Sequence, residues 1–354
     1  MLTETVAGRT YDYSHSVGRG SQTGMGFSNP VAAAIGKDDV LFVVNRGSEG
    51  ISNVAWNRTG YGARVSQIKL GANAGEEQFI GEFSKYGNGN GEYIWGSGVA
   101  ADDQGNLFVV DEWLNQVTVF DQDGNYQRDW STVVSDETGP NGASGIAIDG
   151  EGNLFVTDGR SHTVKRFTPE GKLIASWGTH GSAEGELDSP WGITVDHEGF
   201  VYVADFKNHR VQKFTADGNF VAQFGSHGTH RGQLNYPNSV AVDPEGDVYI
   251  CDWSENGWEQ GRVHIFEKDG RFLTSLTGDA QQLSLWAQMT VDANDDYGKR
   301  RREVASTEPE WRFAQPTAVV YDAKNGRLVV ADTQRSRFQI YDKQATYLVP
   351  QLNL

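Results

Sequence analysis

Residues 190–224 read PWGITVDHEGFVYVADFKNHRVQKFTADGNFVAQF, and four short runs rich in β-branched and aromatic residues alternate there with turn chemistry. The unit recurs. Gly98-Val-Ala-Ala-Asp, Gly145-Ile-Ala-Ile-Asp, Gly192-Ile-Thr-Val-Asp and Ser239-Val-Ala-Val-Asp each begin 47 residues after the last. A second track repeats the spacing as LFVVD, LFVTD, VYVAD and VYICD, ending at Asp111, Asp158, Asp205 and Asp252. A third ends at Phe120, Phe167, Phe214 and Phe266, and a fourth reads YQRDW, LIASW, FVAQF and FLTSL. Asp123-Gly124, Glu170-Gly171, Asp217-Gly218 and Asp269-Gly270 separate the last two tracks, as in a β-hairpin. Four antiparallel strands at a fixed long period make one blade of a β-propeller.

Two looser copies, Asn29-Pro30 through Asn45 and Gln315-Pro316 through Asp332, bring the count to six. The expected fold is therefore all-β, a single six-bladed propeller of four-stranded antiparallel blades over residues 1–354. RTYDYSHSV, residues 9–17, precedes any blade and reads as the outer strand closing the sixth, which leaves no exposed edge. The period stretches in blade one and again between blades five and six. Residues 281–305 lose the strand alternation, so a helical insertion is expected at about 277–312. A long insertion on the ligand-facing side reads as a lid, with Trp286 or Tyr297 over the mouth.

Composition narrows the function. The net charge of −17 opposes a phosphate backbone, so nucleic acid is excluded as a general partner. No stretch approaches the apolar length of a membrane span, and the N-terminus lacks the apolar core of a secretory signal. A cytoplasmic location is expected. The one cysteine, Cys251, lies in an apolar run and reads as a buried thiol.

The pattern P-x-G-[IV]-x-V-D, followed by a strand ending in Asp and then N-H-R-V, resembles the NHL repeat; Pro190–Phe214 with Asn208-His209-Arg210 carries it best. The resemblance implies a propeller whose functions range from protein and RNA binding to small-molecule catalysis. It extends to amidating lyases, streptogramin lyases, strictosidine-synthase-like proteins and gluconolactonases. The amidating lyases place zinc-binding histidines directly after the proline that opens each innermost strand. Here those positions hold Val31, Ser97, Ser144, Trp191, Asn238 and Thr317, which do not make a zinc site. Asn45-Arg46-Gly47 resembles the arginine-bearing loop of the same lyases.

In a propeller the loops entering the innermost strands share a face with those joining second and third strands. Projection onto that face gives Ser97, Ser144, Trp191, Asn238 and Thr317, with Arg46, Glu112, Trp113, Arg160, Lys207, Trp253 and Gln334. Arg46, Arg160 and Lys207 are the candidate catalytic cations, able to clamp a carboxylate or stabilise a developing oxyanion. The others are candidate substrate-binding residues, with the tryptophans as stacking walls. Loop ion pairs and packing between blades are the competing roles for these cations and rings. His180 and His227, 47 residues apart, are the candidate ligands for a divalent metal, Ca or Zn; His162 and His209 read as turn residues. The repeat aspartates read as partners of loop backbone. The expectation is a lyase or hydrolase acting on a small organic ligand, carboxylate-bearing or aromatic; the alternative is a propeller that binds a protein or peptide without catalysis.

Overall fold

The second strand of each repeat is apolar without alternation, as in Leu107–Asp111 and Val201–Asp205, and such a strand must be covered on both faces. The computed structural model, which describes residues 3–51, 58–134, 142–253, 261–294, 296, 299 and 310–344, shows how. Six sheets stand face to face around a channel lined by one strand from each. Leu107 and Val109 enter the seam with blade one, while Phe108 and Val110 enter the seam with blade three. Six apolar clusters result, one per seam between neighbouring blades.

From the channel outward, blade four runs Pro190–Val195, Val201–Asp205, Arg210–Phe214 and Phe220–Phe224, each antiparallel to the next. Blades two, three and five repeat this order. In blade one a ribbon of Ser48–Ile51 and Arg58–Tyr61 is inserted after the second strand, which accounts for the stretched period there. Blade six unites the chain ends. Pro316–Asp322, Arg327–Asp332 and Arg337–Gln344 are joined by Arg9–Val17 as outer strand, and Thr3–Val6 adds a fifth that the repeat pattern does not announce.

The insertion between blades five and six contains an α-helix, Leu285–Asp292, begun by Ser284, whose hydroxyl accepts the Ala287 amide. Its large aromatic does not serve as a lid: Trp286 is buried against Phe27 in the seam between blades six and one. An indole at the core-facing side of a short helix gains more from that seam than from water. Tyr297 lies outside the described residues. Cys251 is a buried free thiol, and burial pushes its proton affinity up. Among the described residues no helix is long and apolar enough to cross a membrane.

Candidate active site

Each innermost strand begins with a β-bulge. Pairing jumps between Pro30 and Ala32, Ala143 and Gly145, Pro190 and Ile193, Pro237 and Ser239, and Pro316 and Ala318, and the jump in blade two skips Ser97. A bulge frees a residue from the ladder and re-aims it. The residues so freed include Val31, Ser97, Ser144, Trp191, Asn238 and Thr317, and all of them line the channel.

At the mouth the channel widens into a cavity of about 220 Å3 lined by Arg46, Ser97, Trp191, Asn238, Trp253, Thr317 and Gln334, with Asn29, Val31, Gln315 and Thr333. Seven of the residues predicted from sequence therefore meet in one place. Three hydroxyls are engaged with backbone: Ser97 Oγ donates to Ala143 O and Ser144 Oγ to Gly142 O, both at 3.0 Å, and Thr317 Oγ1 to Pro30 O at 3.1 Å. The Ser97 and Thr317 bonds join neighbouring blades, whereas that of Ser144 stays within its own. Ser144 sits in the channel below the mouth cavity.

Arg46 is held from two sides. Its guanidinium pairs with the buried Glu112 carboxylate and lies over the Trp95 ring, 4.8 Å from the centroid. Trp95 in turn meets Trp113 edge-on, and the Glu112 amide donates to Trp95 O at 3.1 Å. Glu112 and Trp113 thus stand behind the cavity and orient Arg46. Burial raises the proton affinity of Glu112, with the Arg46 charge opposing. Trp95 was not foreseen, because it stands two residues before Ser97 and outside the repeat consensus.

Across the mouth Trp191, Phe206 and Trp253 pack in a triangle with centroids 5.4 to 6.0 Å apart, and Tyr236 continues it at 5.0 Å from Phe206. The Asn238 Oδ1 and Trp253 Nε1 atoms are buried without a hydrogen-bond partner among the described residues. Such atoms cost about 1–3 kcal/mol each when left unsatisfied.

Arg160 and Lys207 are exposed and do not line the mouth cavity. A long cation beside a tight turn gains more hydration by extending into solvent than it gains in a narrow opening. His180 and His227 do not pair with each other either. His180 packs tilted against His162 at 4.2 Å and His227 stacks on His209 at 4.0 Å, so each imidazole finds its partner in its own blade. Among the described residues, the side chains lining the mouth cavity include no carboxylate or imidazole, so this lining offers no ligand set for a Ca or Zn ion. The aspartates behave as expected: Asp111, Asp158, Asp205, Asp252 and Asp332 accept loop amides, for example Asp188 N to Asp205 Oδ1 at 2.7 Å. His162 and His209 occupy left-handed turns, as their place in the repeat implied.

Six antiparallel sheets around one channel define a six-bladed β-propeller. The NHL repeat family matches residues 187–214, 234–261 and 313–341. No curated protein sequence matches the chain. A streptogramin B lyase structure aligns over 94% of this chain and 98% of its own, with a TM-score of 0.54 and 10% identity. The virginiamycin B lyase from Staphylococcus aureus aligns over 93% and 98%, with a TM-score of 0.53 and 12% identity. A protein of unknown function from Bacteroides thetaiotaomicron aligns over 95% and 76%, with a TM-score of 0.57 and 15% identity. These likenesses establish the propeller architecture.

Proposed function

We propose that the chain is a small-molecule enzyme of lyase type, with the mouth cavity as its active site and Arg46 gripping a carbonyl or carboxylate of the substrate. The setting of Arg46 carries this reading. A guanidinium fixed between Glu112 and Trp95 has little left to reorganise when charge builds on a substrate oxygen, which is when fixed donors act most strongly. Elimination next to a carbonyl builds such charge. The unpartnered Asn238 Oδ1 and Trp253 Nε1 suit a ligand that offers one donor and one acceptor, and Trp191 supplies a flat wall. The lyases of like architecture support the choice of reaction class. A non-catalytic binding propeller is the second reading, favoured by the lack of carboxylate and imidazole groups among the described residues lining the cavity.

A panel of aromatic carboxylates, lactones and quinupristin, the compound present in a structure of the inactive virginiamycin B lyase, tests both readings. Binding is read from the fluorescence of Trp95, Trp191 and Trp253, and turnover from chromatography of the mixture. The enzyme reading expects product formation, lowered about 100-fold or more in R46A, the scale for loss of one oxyanion donor. Saturable binding without product would favour the binding propeller. Turnover unchanged in R46A would remove Arg46 from the chemistry.

A further inference from the structure

Three side chains able to ligate a metal meet in blade three, away from the mouth cavity. His162 belongs to the turn between the second and third strands, and His180 and Asp188 to the connection that leads into blade four. His162 Nδ1 lies 3.5 Å from Asp188 Oδ1, and His180 Nε2 lies 3.7 Å from Asp188 Oδ2. One ligand atom from each residue lies within 4.8 Å of the other two. Ligands bound tetrahedrally at zinc distances stand roughly 3.3 Å apart, so small side-chain rotations bring the group to the required size.

Blade four provides an internal comparison. His209 and His227 pack ring against ring there, as His162 and His180 do at 4.2 Å, and the Tyr236 amide donates to His209 Nδ1 at 3.1 Å as the Ser189 amide donates to His162 Nδ1 at 3.0 Å. The paired imidazoles and the amide contact therefore belong to the repeat. What differs is the third member: where blade three has Asp188, blade four has Asn235, a neutral amide and a poor zinc ligand. The carboxylate is peculiar to the one blade where it faces both imidazoles.

We propose that His162, His180 and Asp188 form a zinc site with three protein ligands and a fourth position open to water. Two neutral imidazoles and a carboxylate suit this ion. The His162 Nδ1 lone pair now accepts the Ser189 amide at 3.0 Å, and the ion takes that lone pair. The bound ion ties the loop before Trp191 to the turn of blade three, so its effect is to stiffen one wall of the mouth.

The full chain, stripped of metal with a chelator, is titrated with zinc by calorimetry and with cobalt by visible absorption. One ion per chain is expected for the wild type and for H227A, with binding at least tenfold weaker in H180A and in D188N. These side chains lie at or near the surface, so circular dichroism should show all three variants folded. Absence of saturable uptake by the wild type, uptake as tight in D188N as in the wild type, or a loss in H227A equal to that in H180A would each overturn the proposal.

Discussion

Gly145 and Gly192 stand where neighbouring innermost strands come closest. A Cβ at Gly145 would meet Trp191 O at 2.4 Å, and one at Gly192 would meet Asn238 O at 2.5 Å. Backbone of the next blade cannot yield without widening the ring, so G145A should lower stability by about 1–3 kcal/mol in urea unfolding. An unchanged midpoint would show that the ring breathes. Two histidines set a pH limit of their own. Burial holds His264 and His15 below the ordinary histidine range, with Asp252 and the Leu70 carbonyl respectively opposing. The unfolded chain accepts a proton below about pH 6.5 that the folded chain resists. Stability is thus complete above that pH and falls as pH drops through it. Thermal melts should be lower at pH 5.5 than at pH 7.5, with a smaller gap in H264Q; an equal gap would remove His264 as a cause. Sequence served unevenly at this scale. Position in the repeat brings Asn238 and Trp191 to the mouth because bulges aim those residues for geometric reasons. Charge misled for Arg160 and Lys207, since nothing in one side chain's identity tells whether it turns toward the opening or toward water.

The insertion and the blade strands differ in how far pattern could read them. Strands such as Leu107–Asp111 carry a signal in every residue because both faces are buried, and the repeat fixes their partners. The helix Leu285–Asp292 has one aromatic committed to the core, and its register against Phe27 depends on where the preceding loop happens to exit. The lid expected from its position therefore failed at Trp286 while the helix itself stood. The physical content of that difference is testable. W286A removes an indole packed among Phe27, Phe338 and Leu70 and should cost about 3–5 kcal/mol, with ligand binding at the mouth retained by the molecules that remain folded. A thermal transition equal to wild type would mean that the helix can detach and act as a lid after all.

At the scale of the whole molecule, an open stack of blades would be stabilised only by neighbouring pairs, whereas a closed ring makes every seam depend on the last. The closing seam is built from both chain ends. Arg9–Val17 pairs with Arg337–Gln344, and Lys343 lies buried against Asp243 and Asp247 of blade five, the latter at 2.9 Å. Arg9 reaches the same Asp247 at 2.7 Å and Glu267 at 3.0 Å, and the Tyr11 hydroxyl lies 3.4 Å from that of Tyr249. The N-terminal strand therefore holds blade six to blade five as well as completing it. Deleting residues 1–18 strips Tyr11, Tyr13 and Val17, all buried, from the ring. At about 1.5–3 kcal/mol for each buried apolar side chain, the loss is roughly 5–9 kcal/mol. That is comparable with the total stability of about 5–15 kcal/mol expected of a folded domain, before the stranded Lys343 network is considered. The truncated chain should accordingly lose its cooperative thermal transition, or show it only when a synthetic peptide of residues 1–18 is added back. A truncated chain that melts like the full one would show that five blades and a three-stranded sixth suffice, and that ring closure is not what holds the mouth in shape.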